Sequence, residues 1–155
     1  MTAAVPYDPE QEPNPRSPTT TRAPRILVVE DDSDFADLVR FELETGGYHV
    51  ELTSSVSEAL HRMHAGEELD LVLSDVRLPG KSGLQLLFPE GVCSEPPPVL
   101  LMSAFISPEL RHFAESMGAD TLEKPFSFAA LHASVIRALR SASRARASRP
   151  IGSAP

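Results

Sequence analysis

The sequence predicts an α/β fold: a doubly wound, five-stranded parallel sheet with helices on both faces. Two observations carry that prediction. Five apolar runs of strand length recur along the chain, and a stretch with helical apolar spacing follows each of them. Alternation of this kind, with right-handed crossovers, gives a parallel sheet between two helical layers. A third observation adds to it. Four of the runs end in acids, a serine or a lysine, and a parallel sheet gathers such ends at one edge.

The first run is Ile26-Leu27-Val28-Val29, the pattern of a strand covered on both faces. It ends in Glu30-Asp31-Asp32, and Asp32 or Ser33 can cap the next helix. That helix is expected to carry Phe35, Leu38, Val39 and Leu43 inward and to stop at Gly46-Gly47. Tyr48-His49-Val50-Glu51-Leu52 reads as the second strand. A helix opened by residues 54–57 follows, with Ala59, Leu60 and Met63 on one face.

Leu71-Val72-Leu73-Ser74-Asp75 is the third strand. Pro79 and Gly80, just beyond it, rule out both a longer strand and a smooth run into helix. A third helix starts at Gly83, and Pro89 cuts it short. Val99-Leu100-Leu101-Met102-Ser103 is the fourth strand. Pro108 fits the first turn of a helix reaching Met117, with Leu110, Phe113 and Ala114 inward. Thr121-Leu122 is a brief fifth strand before Glu123-Lys124-Pro125. The last helix is expected from about Ser127 to Ala142, with Phe128, Leu131, Val135, Ile136 and Leu139 as its stripe.

Composition bounds what such a chain can be. The length of 155 residues suits one domain. Six prolines fall within residues 1–24, which carry almost no large apolar residues; this segment is expected to be a disordered leader. The foldable domain spans 25–141, and 142–155 reads as a flexible basic tail. Residues 25–140 hold 19 acids against nine Lys plus Arg, which argues against nucleic acid as a direct partner. No run reaches membrane-spanning length, no signal peptide is visible, and the lone Cys93 cannot form an internal disulfide. A cytoplasmic location is the expectation.

The predicted edge collects Glu30, Asp31, Asp75, Ser103 and Lys124. Carboxylates that meet without a partner repel one another, and a hard dication such as Mg2+ relieves this while leaving room for phosphate oxygens. Lys124 adds a positive charge and Ser103 a hydroxyl donor. Asp75, alone on the middle strand, is the natural nucleophile for phosphoryl transfer to a carboxylate, and Glu30 and Asp31 are the natural metal holders. The bland alternatives are a turn cap for Asp75, a buried strand serine for Ser103, and solvated helix residues for His61 and His64.

On these residues the chain resembles a receiver domain of two-component response regulators, of the single-domain, chemotaxis-regulator-like kind with a flavodoxin-like fold. The resemblance rests on 26–32 with the acidic pair, 70–83 around Asp75, Leu101-Met102-Ser103-Ala104, and Glu123-Lys124-Pro125-Phe126. It implies that Asp75 takes a phosphoryl group from a histidine kinase or a histidine phosphotransfer protein. Asp31 would ligate Mg2+ directly, Glu30 through water, and the backbone carbonyl of Arg77 would complete the shell. Ser103 and Lys124 would bind the phosphoryl oxygens. Such a domain is no enzyme in its own right; it promotes only its own phosphorylation and dephosphorylation.

Three departures stand out. Thr121 occupies the place of the family's aromatic switch residue, with residues 118–124 one residue short. The third helix is cut at Pro89 and followed by Pro96, Pro97 and Pro98. Arg77 and Phe105 stand two positions past the acceptor and the hydroxyl residue, where bulk implies a long-lived phosphoryl-aspartate. Since the tail is too short to fold, output is expected through protein binding. The alternatives are a phosphate-relay shuttle and a phosphorylation-independent scaffold. An aspartate-nucleophile phosphatase is set aside because Arg77 stands where its second acid belongs.

Overall fold

The computed structural model describes residues 22–91 and 95–148. The expected leader, apart from residues 22–24, the loop holding Cys93, and residues 149–155 of the tail lie outside the described residues. Five strands, β1 (Arg25–Val29), β2 (His49–Thr53), β3 (Leu71–Asp75), β4 (Val99–Ser103) and β5 (Asp120–Glu123), form one parallel sheet in the order β2-β1-β3-β4-β5. The α-helices are α1 (Ser33–Thr45), α2 (Val56–His64), α3 (Pro108–Ser116) and α4 (Phe128–Ala147).

The period of two along each strand divides the core into two layers. Ile26, Val28, Leu71, Leu73, Leu100 and Met102 face α1 and α4, where they meet Val39, Leu43, Leu131 and Val135. Leu27, Val29, Val72, Leu101 and Val99 face the other way, onto Val56, Ala59, Met63 and Ala114. Each fully buried side chain of this size contributes about 1.5–3 kcal/mol.

Helix starts follow the sequence closely. Asp32 caps α1 by accepting from the backbone N–H of Asp34 and Phe35, and Ser55, Ser107 and Ser127 cap α2, α3 and α4. Other features differ. The expected third helix is a 3-10 helix over Gly83–Leu87, since Ser82 opens it only seven residues before Pro89 and a full α-turn set has no room. The last helix does not stop near Ala142 but runs to Ala147, through alanines and arginines that favour helix. Leu38, Phe113, Phe128 and Ile136, expected inward, are exposed, because each helix buries a narrower stripe than its apolar spacing covers. Residues 22–24, assigned to the leader, are tied down: Arg22 donates to Asp70 at 3.0 Å, and the carbonyl of Pro24 accepts from His49.

Gly83 decides how tightly the loop after β3 can fold. A Cβ there would stand 2.1 Å from the carbonyl oxygen of Asp75 and 2.8 Å from Oγ of Ser74. The Gly83 N–H donates to the Val76 carbonyl at 3.0 Å, closing the loop onto the strand end. Gly83→Ala is expected to destabilise the fold by about 1–3 kcal/mol, through overpacking of backbone that cannot yield. Urea unfolding of the two chains measures it.

Candidate functional site

The strand register brings the site together. Val29 lies opposite Ser74, Asp75 opposite Met102, and Ser103 opposite Glu123. The ladder continues one residue past three strand ends: Glu30 donates to the Thr53 carbonyl, Val76 to Met102 and Lys124 to Ser103. Glu30 is therefore level with Asp75, and both share strand parity with Val28 and Leu73, on the α1/α4 side of the sheet. Lys124 shares parity with Leu122 on that same side. Ser103 shares parity with Leu101, on the opposite side.

Side-chain contacts follow this parity. Nζ of Lys124 donates to Oε2 of Glu30 and to Oδ2 of Asp75, each at 2.9 Å. Glu30 is buried and Asp75 half-buried. Oε1 of Glu30 also accepts from the backbone N–H of Asp32, and Oδ1 of Asp75 accepts from that of Arg77 at 3.2 Å. Carboxylate oxygens of Glu30, Asp31 and Asp75 lie within 4.8 Å of one another. The hydroxyl of Ser103 donates to the Phe105 carbonyl at 3.0 Å, within its own loop. Arg77 is exposed, and Phe105 is 69% exposed at the rim.

Burial pushes the Glu30 carboxyl above the usual glutamate range, although the Lys124 hydrogen bond pulls it down. For Lys124, burial works to lower the pKa, but the hydrogen bonds it donates to its two carboxylates outweigh it and raise the net value. The donor set fits a hard dication: three carboxylates, all oxygen, open on one side through exposed Asp31. A groove of about 550 Å3 lies at the opposite edge of the sheet, between Pro97, Pro98, Ala119 and Ala142, and contains none of these side chains.

The match to the family described as the response regulator receiver domain spans residues 26–136. The chain belongs to the response regulator receiver family. Among its relatives is an uncharacterised transcriptional regulatory protein, YrkP of Bacillus subtilis, 36% identical over 116 residues that cover 75% of this chain and 49% of the relative. The transcriptional regulatory protein FixJ of Bradyrhizobium diazoefficiens is 34% identical over 127 residues, 81% of this chain and 62% of the relative. The chain thus spans about half to three fifths of the length of these relatives. A crystal structure of a CheY-like receiver domain protein from Methanospirillum hungatei superposes with a TM-score of 0.69 at 27% identity, over 79% of this chain and 98% of the other.

Of the five side chains read from the receiver sequence, the structure brings Glu30, Asp31, Asp75 and Lys124 into one cluster, while the Ser103 hydroxyl is hydrogen-bonded to the Phe105 carbonyl of its own loop. One residue of the site was read from sequence only as core: Phe35. Its ring centroid lies 4.4 Å from Nζ of Lys124. Its place three residues after Asp32, in the first turn of α1, was the available signal. His61 and His64 take no part in the site. His64 instead faces the carbonyls of Leu60 and Glu90 with its two ring nitrogens.

The raised Glu30 pKa fixes the sign of a pH effect. Ionising Glu30 costs the folded state more than the unfolded one, so its contribution is complete below about pH 4.5 and is lost as pH rises through the folded value. Glu30→Gln is expected to gain stability relative to the parent chain as pH rises from 4 to 7 without divalent cations. Urea unfolding across that range checks it; a deficit that grows with pH would contradict it.

Proposed function

We propose that this receiver accepts a phosphoryl group on Asp75 from a histidine kinase or histidine phosphotransfer protein, and signals by changing which protein it binds. The observation that supports this reading is the single ammonium, Lys124, held 2.9 Å from both Glu30 and Asp75 beside a three-carboxylate cluster. An oxygen of Asp75 attacks phosphorus, the phosphorus–nitrogen bond of the phosphohistidine breaks, and the imidazole leaves with the bond's electron pair and takes up a proton. Lys124, already at the Asp75 carboxylate, is placed to take a phosphoryl oxygen. The Ser103 hydroxyl can reach one only by turning away from the Phe105 carbonyl.

Mg2+ bound by Glu30, Asp31, Asp75 and the Arg77 carbonyl would neutralise charge on the transferring group. The protein-binding output draws support from α3, which packs on β5 and exposes Phe113, with Met117 exposed at its C-cap. Thr121 on β5 is half-buried where the family has its aromatic residue, so the readout runs through α3 and its neighbours rather than through a ring at that position.

Asp75→Asn is expected to abolish Mg2+-dependent labelling by acetyl phosphate; label retained in that variant would move the acceptor elsewhere. Comparing proteins captured by labelled and unlabelled chain then tests the output. Rapid return of the label to a phosphotransfer histidine would instead make transfer itself the function. Phe105→Ala is expected to shorten the life of the label several-fold if the ring closes over a loaded Asp75. An unchanged half-life removes Phe105 from that role.

A further inference from the structure

An ammonium has three N–H donors, and Lys124 spends two of them on Glu30 and Asp75. The Phe35 ring centroid lies 4.4 Å from Nζ, within the range where a ring face attracts a cation. Phe35 is itself held in place. It leaves the capped first turn of α1, where its backbone N–H donates to Asp32, and its ring meets Phe126 edge to face at 5.9 Å between centroids. Phe126 lies two residues beyond Lys124, so one aromatic pair braces both the lysine loop and the helix that follows the acidic pair. The Lys124 side chain is only 22% exposed, which strengthens a cation–ring attraction relative to one in open water.

This arrangement sets two cations in competition. The Lys124 ammonium occupies Oε2 of Glu30 and Oδ2 of Asp75, two of the three carboxylates that could hold a dication. A dication drawing on Glu30 and Asp75 must weaken the bridge that Lys124 makes between them. Whatever holds the ammonium at the bridge therefore opposes the metal.

We infer that Phe35 is a positioning residue: its ring holds Lys124 across Glu30 and Asp75 in the resting receiver and so sets how readily the acidic site takes a divalent cation. The inference rests on the metal-assisted reading of the site given above, and it assigns to an apolar residue of α1 the control of metal loading. Tyrosine at this position keeps the ring face. Leucine keeps apolar bulk but removes it.

Mn2+ binding, followed by the loss of the free-ion electron paramagnetic resonance signal, tests this without phosphorylation. Phe35→Leu is expected to tighten Mn2+ binding about three- to tenfold, the range a lost cation–ring contact supports. Phe35→Tyr is expected to bind as the parent chain does. In a Lys124→Met background the Phe35→Leu effect should vanish, because the ring then has no ammonium to hold. Phe35→Met provides a second apolar replacement, and thermal unfolding of each variant shows that it is folded. Equal affinity in parent and Phe35→Leu chains, weaker binding in Phe35→Leu, or the same change in both backgrounds would overturn the inference. Acetyl phosphate labelling of the parent chain separates the two readings. A parent that takes no label on Asp75 defeats the proposed function, while the Mn2+ comparison still decides the role of Phe35.

Discussion

The ion pairs of Lys124 with Glu30 and Asp75 are what allow two carboxylates to share the end of a buried sheet. Glu30 is almost wholly removed from water, and its raised pKa shows that its charge is held against a desolvation cost. Lys124 reaches back across 94 residues of chain to Glu30 and 49 to Asp75. Nothing local brings these groups together; the sheet does, by stacking β1, β3, β4 and β5 in parallel with their ends in register. The site depends on the fold, and the fold carries an electrostatic cost at that edge because of the site.

The edge is served by packing on both sides. On the α1/α4 side, Phe35 borders the ammonium, Phe126 meets its ring edge to face, and both pack against the core layer of Val39, Leu43 and Leu131. On the other side, Gly83 lets the loop after Asp75 close against the strand with no room for a Cβ. The 3-10 helix that follows buries Leu86 but leaves Phe88 exposed beside Phe113, 5.7 Å between ring centroids. This aromatic pair stands beside α3, which packs on β5, the strand that carries Thr121.

Much of the fold was legible because periodicity and punctuation agree. Continuous apolar runs marked the strands, and serines and Asp32 marked the helix starts. Prolines and glycines marked the ends. The errors share one cause. Apolar spacing shows which helix residues could face inward, but not how wide a stripe the sheet can cover, so Leu38, Phe113, Phe128 and Ile136 were assigned to the core and stand exposed. The extension of α4 to Ala147 was missed for a related reason: serine and arginine read as tail, yet alanine and arginine continue a helix once it has begun.

By itself the sequence determined the strand and helix order, the family, and which residue types meet at one edge of the sheet. Glu30, Asp31, Asp75 and Lys124 could be named from chain position alone, since each lies within two residues of the end of an apolar run. Only the tertiary structure decided how they meet. Strand register sets Glu30 level with Asp75 and brings Lys124 against both, and that follows from the pairing of strands far apart in sequence. It also decided that a phenylalanine of α1 stands against the lysine. A pattern of apolar residues says that a side chain is inside, and only the packing of one layer on another says what charge it touches there.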